Sequence, residues 1–162
     1  MPTAKPIVAL LAANAAFAAI LGRTLREEGG FRVEVFATVM AMTRFIASHG
    51  TAIAVIDCDL PRLDVRELSH SLRTVARTSL RQIAVTRAAP AFHAPLRAAG
   101  IDVVLQKPVT PDQMLTCVRT LHPTGLAGGG TQDGTEHRFD ADERHPDGQR
   151  DNVIELFRRT AG

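Results

Sequence analysis

Ala52-Ile53-Ala54-Val55-Ile56-Asp57 is the stretch that decides the fold. Its apolar residues run on without polar alternation, as in a strand covered on both faces, and they stop at a carboxylate. A carboxylate at the carboxyl end of a buried parallel strand faces the crevice where open α/β sheets place their chemistry. Beyond it the chain continues Cys58-Asp59-Leu60-Pro61. Alone, Asp57 would read as a strand-end carboxylate capping a loop. Two residues farther along change that reading: Thr86 ends the run Ile83-Ala84-Val85, and Lys107 follows Val103-Val104-Leu105-Gln106 and precedes Pro108.

From Pro6 to about Leu121, short apolar runs alternate with segments of helical periodicity, which argues for βα repeats and a parallel sheet. The expected strands are Ile7–Leu11, Arg32–Phe36, Ala52–Asp57, Gln82–Thr86 and Asp102–Leu105. Arg32-Val33-Glu34-Val35-Phe36 alternates in polarity and suits a sheet edge. Between the strands, Phe17, Ile20, Leu21 and Leu25 make one helical stripe, and Val65, Leu68, Leu72 and Val75 another. Thr110-Pro111-Asp112-Gln113 opens the final helix with an N-cap, a proline at the first helical position and a glutamine placed for a capping box. Its buried face would be Met114, Cys117, Val118 and Leu121, while Gly29-Gly30, Gly50 and Gly100 sit where helices should stop. Five strands and five helices in strict alternation predict a doubly wound α/β fold.

Composition bounds what such a domain can do. At 162 residues, 45% hydrophobic and 22% charged, the chain supports one good core of ordinary globular type. There are seven Phe and no Trp or Tyr, so aliphatic residues must build that core. A net charge of +2 without a dense Lys/Arg stripe argues against nucleic-acid binding. The two cysteines, Cys58 and Cys117, have neither metal spacing nor a disulfide framework, and read as small apolar fillers in a reducing cytoplasm. His49, His70, His93, His122, His137 and His145 form no ligand constellation. No glycine-rich phosphate loop follows the first strand, which argues against a nucleotide-binding enzyme. Lys5 followed by Ile7 to Ile20 looks like a signal peptide but is too short and Ala-rich for a membrane span. The competing reading is a first strand running into a helix, and removing it would delete that strand.

Residues 1–5 read as an N-terminal arm and 6–121 as the domain. Residues 122–150, with Gly128-Gly129-Gly130 and a mixed-charge stretch almost without aliphatics, read as a disordered linker. Val153, Ile154, Leu156 and Phe157 then make 151–162 a short amphipathic segment, too short to be a stable helix alone.

Asp57-Cys58-Asp59-Leu60-Pro61, Ala84-Val85-Thr86 and Gly100 to Pro108, in that order, resemble the receiver (CheY-like) domain of two-component response regulators over about residues 5 to 121. The resemblance implies a flavodoxin-like sheet of order 2-1-3-4-5 and no enzymatic activity beyond phosphate acceptance. Asp57 would be the phosphoacceptor, with Thr86 and Lys107 binding phosphoryl oxygens. In the family, Mg²⁺ is held by the phosphoacceptor, an acidic pair after the first strand, and a backbone carbonyl two residues past the phosphoacceptor, here that of Asp59. The implied partner is a histidine kinase or another signalling protein. The face of helix four, strand five and helix five, here with Phe92, Leu96 and Val104, is a candidate homodimer surface.

The chain departs from that pattern in three places. Where the family has its acidic pair, it reads Leu11-Ala12-Ala13-Asn14-Ala15. Asp57, the Asp59 carbonyl and the Asn14 amide would make only a weak Mg²⁺ site, so no cofactor is expected. Val104 stands at the aromatic switch position, and Arg87 follows Thr86 where a small residue is common. With the acidic pair gone, Asp57 can pair directly with Lys107. Arg87 would point outward or cap the pocket, and the Asp59 side chain would solvate or cap a turn. The favoured expectation is a degenerate pseudo-receiver acting by protein contact. The alternatives are a phosphorylatable relay or phosphate sink, and an unrelated flavodoxin-like enzyme or ligand-binding protein.

Overall fold

The computed structural model describes residues 4–122. Elements follow in the order β1 (Ile7–Leu11), α1 (Ala15–Glu27), β2 (Arg32–Phe36), α2 (Val39–Ser48), β3 (Thr51–Asp57), α3 (Val65–Val75), β4 (Arg81–Thr86), α4 (Ala94–Ala98), β5 (Val103–Gln106) and α5 (Pro111–Leu121), with a 3₁₀ turn at Pro90–Phe92 before α4. All strands are parallel, and the sheet order is β2-β1-β3-β4-β5. Strand boundaries fall within one residue of expectation. Most of the N-terminal arm, and from residue 123 the expected linker and terminal segment, lie outside the described residues.

Period-two alternation along the strands divides the core. Ala9, Leu11, Ala54, Ile56, Ala84 and Val104 meet Met42 and Ile46 of α2 and Leu68 and Leu72 of α3 in one cluster. The intervening residues Val8, Leu10, Ile53, Val55, Ile83, Val85 and Val103 are equally buried, as are Leu21 and Leu25 of α1 and Met114 and Val118 of α5. The edge reading of β2 holds: among the described residues the strand pairs only with β1, and Arg32 and Val35 are exposed.

Two expectations are corrected. Ile20 does not belong to the buried stripe of α1; it is 56% exposed, and the helix buries Ala18, Leu21, Gly22 and Leu25 instead. The buried face of α1 is the stripe Ala18, Leu21, Gly22 and Leu25, and Ile20 falls beside it on the solvent side. Val104 lies in the core at 4% exposure, so it contributes nothing to the surface of the α4–β5–α5 face. There Leu96 is half-buried and Phe92 is 68% exposed.

Helix ends follow the sequence signals. Thr110 accepts from the Gln113 amide while the Gln113 side chain accepts from the Thr110 amide, closing the capping box of α5. Gly100 takes φ +98 between α4 and β5, a left-handed conformation that side chains resist. Beyond it Asp102 accepts from the Gln82 amide at 2.7 Å and from Arg81 at 3.1 Å, tying the start of β5 to β4.

Candidate functional site

Parallel register brings the three strand-end residues together. Asp57 is aligned with Val85 of β4, and Thr86 with Gln106 of β5, the residue before Lys107. Two backbone bonds extend the pairing past the strands: the Cys58 amide donates to the Val85 carbonyl at 2.9 Å, and the Lys107 amide to the Thr86 carbonyl at 2.8 Å. On the other side of β3, Leu11 is aligned with Ile56, which puts Ala12 beside Asp57. The site therefore opens at the β1/β3 boundary, where successive connections leave in opposite directions and a crevice forms.

Asp57 is buried, with its side chain 8% exposed, and its Oδ1 accepts from Lys107 Nζ at 2.7 Å. The same oxygen accepts from the Asp59 amide at 3.1 Å. Lys107 is also largely covered, at 18% side-chain exposure, with Nζ 5.7 Å from the centre of the Phe17 ring of α1. Burial works to lower the Lys107 pKa, but hydrogen bonds and charge from Asp57 and Asp59 outweigh it and raise the net value. Lys107 therefore stays an ammonium at neutral pH.

Asp59 is the surprise of the site. Its carboxylate turns inward instead of solvating a turn. Oδ2 lies 3.0 Å from Lys107 Nζ, and Oδ1 accepts from the Thr86 hydroxyl at 3.0 Å. The Arg87 amide donates to both oxygens, at 3.2 and 3.1 Å. Burial alone would raise the Asp59 pKa; donors from Lys107, the Arg87 amide and Thr86 overcome that and hold it below the usual carboxylate range. Only a tertiary arrangement could have revealed this, because the donors come from β4 and β5 and the sequence carries no local signal for them. The Arg87 side chain contributes little, being 83% exposed with Nε 4.0 Å from Asp59.

Thr86 also accepts from the Ala88 amide at 3.1 Å. Buried His93 bonds through Nε2 to the Ala88 carbonyl at 2.8 Å, so the loop after β4 is fastened at both ends. The Cys58 thiol is pushed up to about 12 by burial and by the charges of Asp57 and Asp59, which makes it inert at neutral pH.

A receiver-type Mg²⁺ needs hard oxygen ligands in near-octahedral array, and the residues present do not fit it. Ala12 and Ala13 offer no side-chain donor. Asn14, expected as a weak ligand, is occupied as the N-cap of α1, with Oδ1 accepting from the Phe17 amide at 3.0 Å. Both carboxylates already share the Lys107 ammonium. Among the described residues no group of three or more His, Cys, Asp or Glu could hold a metal.

Sheet order and helix placement define the class: a doubly wound, five-stranded parallel α/β fold of the CheY-like receiver type. Solved structures with this fold include a CheY-like response regulator receiver domain from Methanospirillum hungatei JF-1, 23% identical, covering 74% of this chain and 96% of its own, with a TM-score of 0.65. The receiver domain of a sensor histidine kinase from Pseudomonas aeruginosa PAO1, which holds a magnesium ion in its active-site cleft, is 21% identical over 73% of this chain and 98% of its own, with a TM-score of 0.63. A two-component response regulator from Clostridium difficile is 16% identical over 74% and 98%, with a TM-score of 0.66. No protein-family model matches the chain, and no curated protein sequence matches it. Among the described residues no helix is long and apolar enough to cross a membrane.

Proposed function

We propose that this chain is a receiver-like protein of two-component signalling that works by protein contact in the cytoplasm, with phosphorylation of Asp57 impaired or independent of Mg²⁺. The observation that carries this reading is the Asp57–Lys107 bond of 2.7 Å beside Ala12 and Ala13. Phosphoryl transfer to a carboxylate depends on positioning and on neutralising charge on the transferring oxygens. Here one lysine serves two carboxylates, and the side chains that would recruit a divalent cation are alanines. Without a phosphate or a metal, the Lys107 ammonium, the Thr86 hydroxyl and the Arg87 amide already engage the carboxylates of Asp57 and Asp59. The protein is accordingly not an enzyme, and the reading assigns it a signalling partner, a histidine kinase or another protein of the pathway. Phe92, the most exposed large apolar side chain on the α4–β5–α5 side, belongs to the surface proposed for that contact or for self-association.

Incubation with acetyl phosphate and Mg²⁺, followed by intact-mass measurement, tests the reading. The expected result is no hydroxylamine-labile phosphoryl adduct on wild-type protein, with a phosphorylatable receiver labelled in parallel. Ready labelling that is lost in Asp57→Asn would refute it and favour a relay or phosphate sink.

A further inference from the structure

We infer that the Asp59 carboxylate is a tethered occupant of an oxyanion pocket formed by Lys107 Nζ, the Thr86 hydroxyl and the Arg87 amide, and that a free tetrahedral oxyanion can enter only when Asp59 leaves. This rests on the reading of the strand-end cluster as a receiver-type site, and goes beyond it in assigning the pocket's resting ligand. Three donors of three chemical kinds converge on one carboxylate at 3.0–3.2 Å: an ammonium, a hydroxyl and a backbone amide. Such a set suits a phosphate as well as it suits a carboxylate, since both present oxygens to charge-assisted donors. The side chain that fills it comes from the loop directly after Asp57, so it competes intramolecularly and no dilution weakens it.

The occupant also fixes what lies around it. Thr86 is held between Asp59 and the Ala88 amide, and Ala88 is held in turn by His93. The loop leading to α4 is thus fastened to the occupied pocket through Thr86 and Ala88. The pocket behaves as permanently engaged, which suits a protein that works by a fixed contact surface.

Exclusion by a tethered group reduces apparent affinity by the fraction of time the pocket is open. For minor states populated at roughly 0.1–10%, the penalty is about 10- to 1,000-fold. Inorganic phosphate, titrated into the full chain and followed by the Arg87 and Ala88 amide resonances, reads it out. In wild type these resonances should stay still. In Asp59→Ala they should shift with saturable binding at least about tenfold tighter, and Thr86→Val in that background should weaken the response again. If Asp59→Ala does not fold, Asp59→Asn, with the same shape and no charge, serves in its place. Equal responses in wild type and a folded Asp59 variant would overturn the inference, as would a response indifferent to Thr86→Val. Covalent labelling of wild-type Asp57 by acetyl phosphate would instead sink the functional reading alone, because free phosphate binds reversibly and reports only on the pocket.

Discussion

Lys107 and Asp57 form a pair, but their partners are not symmetric, and a stability comparison exposes this. Among the described residues, Asp57 has one cationic partner, Lys107 at 2.7 Å, whereas Lys107 has two anionic ones, at 2.7 and 3.0 Å. At an effective dielectric of about 20, each contact is worth roughly 6 kcal/mol before desolvation is subtracted. Breaking a buried pair from one side typically costs about 3–5 kcal/mol, because the abandoned charge stays buried. With side-chain exposures of 8% for Asp57 and 25% for Asp59, water can reach part of the cluster. Lys107→Met should therefore cost about 2–4 kcal/mol. Asp57→Asn should cost no more than about 1 kcal/mol, since Lys107 keeps Asp59 and the two carboxylates no longer repel. Combining the two substitutions should recover part of the Lys107→Met loss, because no unpaired carboxylate remains at position 57.

Urea unfolding followed by circular dichroism, extrapolated linearly, measures all three variants. If Asp57→Asn costs as much as Lys107→Met, or if Lys107→Met costs under about 1 kcal/mol, the account of Lys107 as the sole counter-charge of a buried carboxylate is wrong. The pH dependence has a definite sign. Asp59 has a lowered folded pKa, so its contribution is complete above its unfolded value of 3.8 and is lost as pH falls through the folded value below that. Lys107 has a raised folded pKa, so its contribution is complete below 10.5 and is lost as pH rises through the folded value above that. The gap between wild type and Lys107→Met should thus be widest between these limits and close toward both.

Two further outcomes follow from named contacts. Asp102→Ala should cost about 1.5–3 kcal/mol by urea unfolding, because it strips acceptors from the Gln82 amide at 2.7 Å and from Arg81 and Arg73 at 3.1 and 3.4 Å. A loss below about 0.5 kcal/mol would mean the tie between β4 and β5 is made by the backbone alone. Iodoacetamide at pH 8 should label neither Cys58 nor Cys117 in the folded chain and both in urea, since burial raises both thiols to about 12; rapid native labelling of Cys58 would show that the pocket is open.

The sheet was legible because the evidence for it is local. Four short apolar runs and one alternating segment, punctuated by Gly100 and by the Thr110 capping box, need no knowledge of tertiary contacts. Ile20 was misread because helical periodicity weighs large apolar side chains, whereas the buried stripe of α1 includes the small Ala18 and Gly22 beside Leu21 and Leu25. Asp57, Thr86 and Lys107 were legible as a set because parallel register delivers strand ends to one edge. Asp59 was not. Whether a loop carboxylate turns in or out depends on donors elsewhere in the chain, and those of Asp59 come from Thr86, Arg87 and Lys107. Asn14 shows the same limit in reverse: it reads as a spare oxygen in sequence, but the structure commits it to the N-cap of α1.

The two departures at this site are physically linked. A carboxylate turned inward at position 59 places two negative charges around one ammonium, a load that an amide and a hydroxyl donor can help to carry. A carboxylate at position 12, beside Asp57 in register, would add a third negative charge near the same lysine. Without a divalent cation that arrangement would drive Asp59 out toward water, since like charges in a partly buried site repel by more than a single hydrogen bond returns. Alanine at position 12 is therefore compatible with an inward Asp59, which Thr86, the Arg87 amide and Lys107 hold in place. With alanine at positions 12 and 13, the Lys107 ammonium is shared between Asp57 and Asp59, at 2.7 and 3.0 Å.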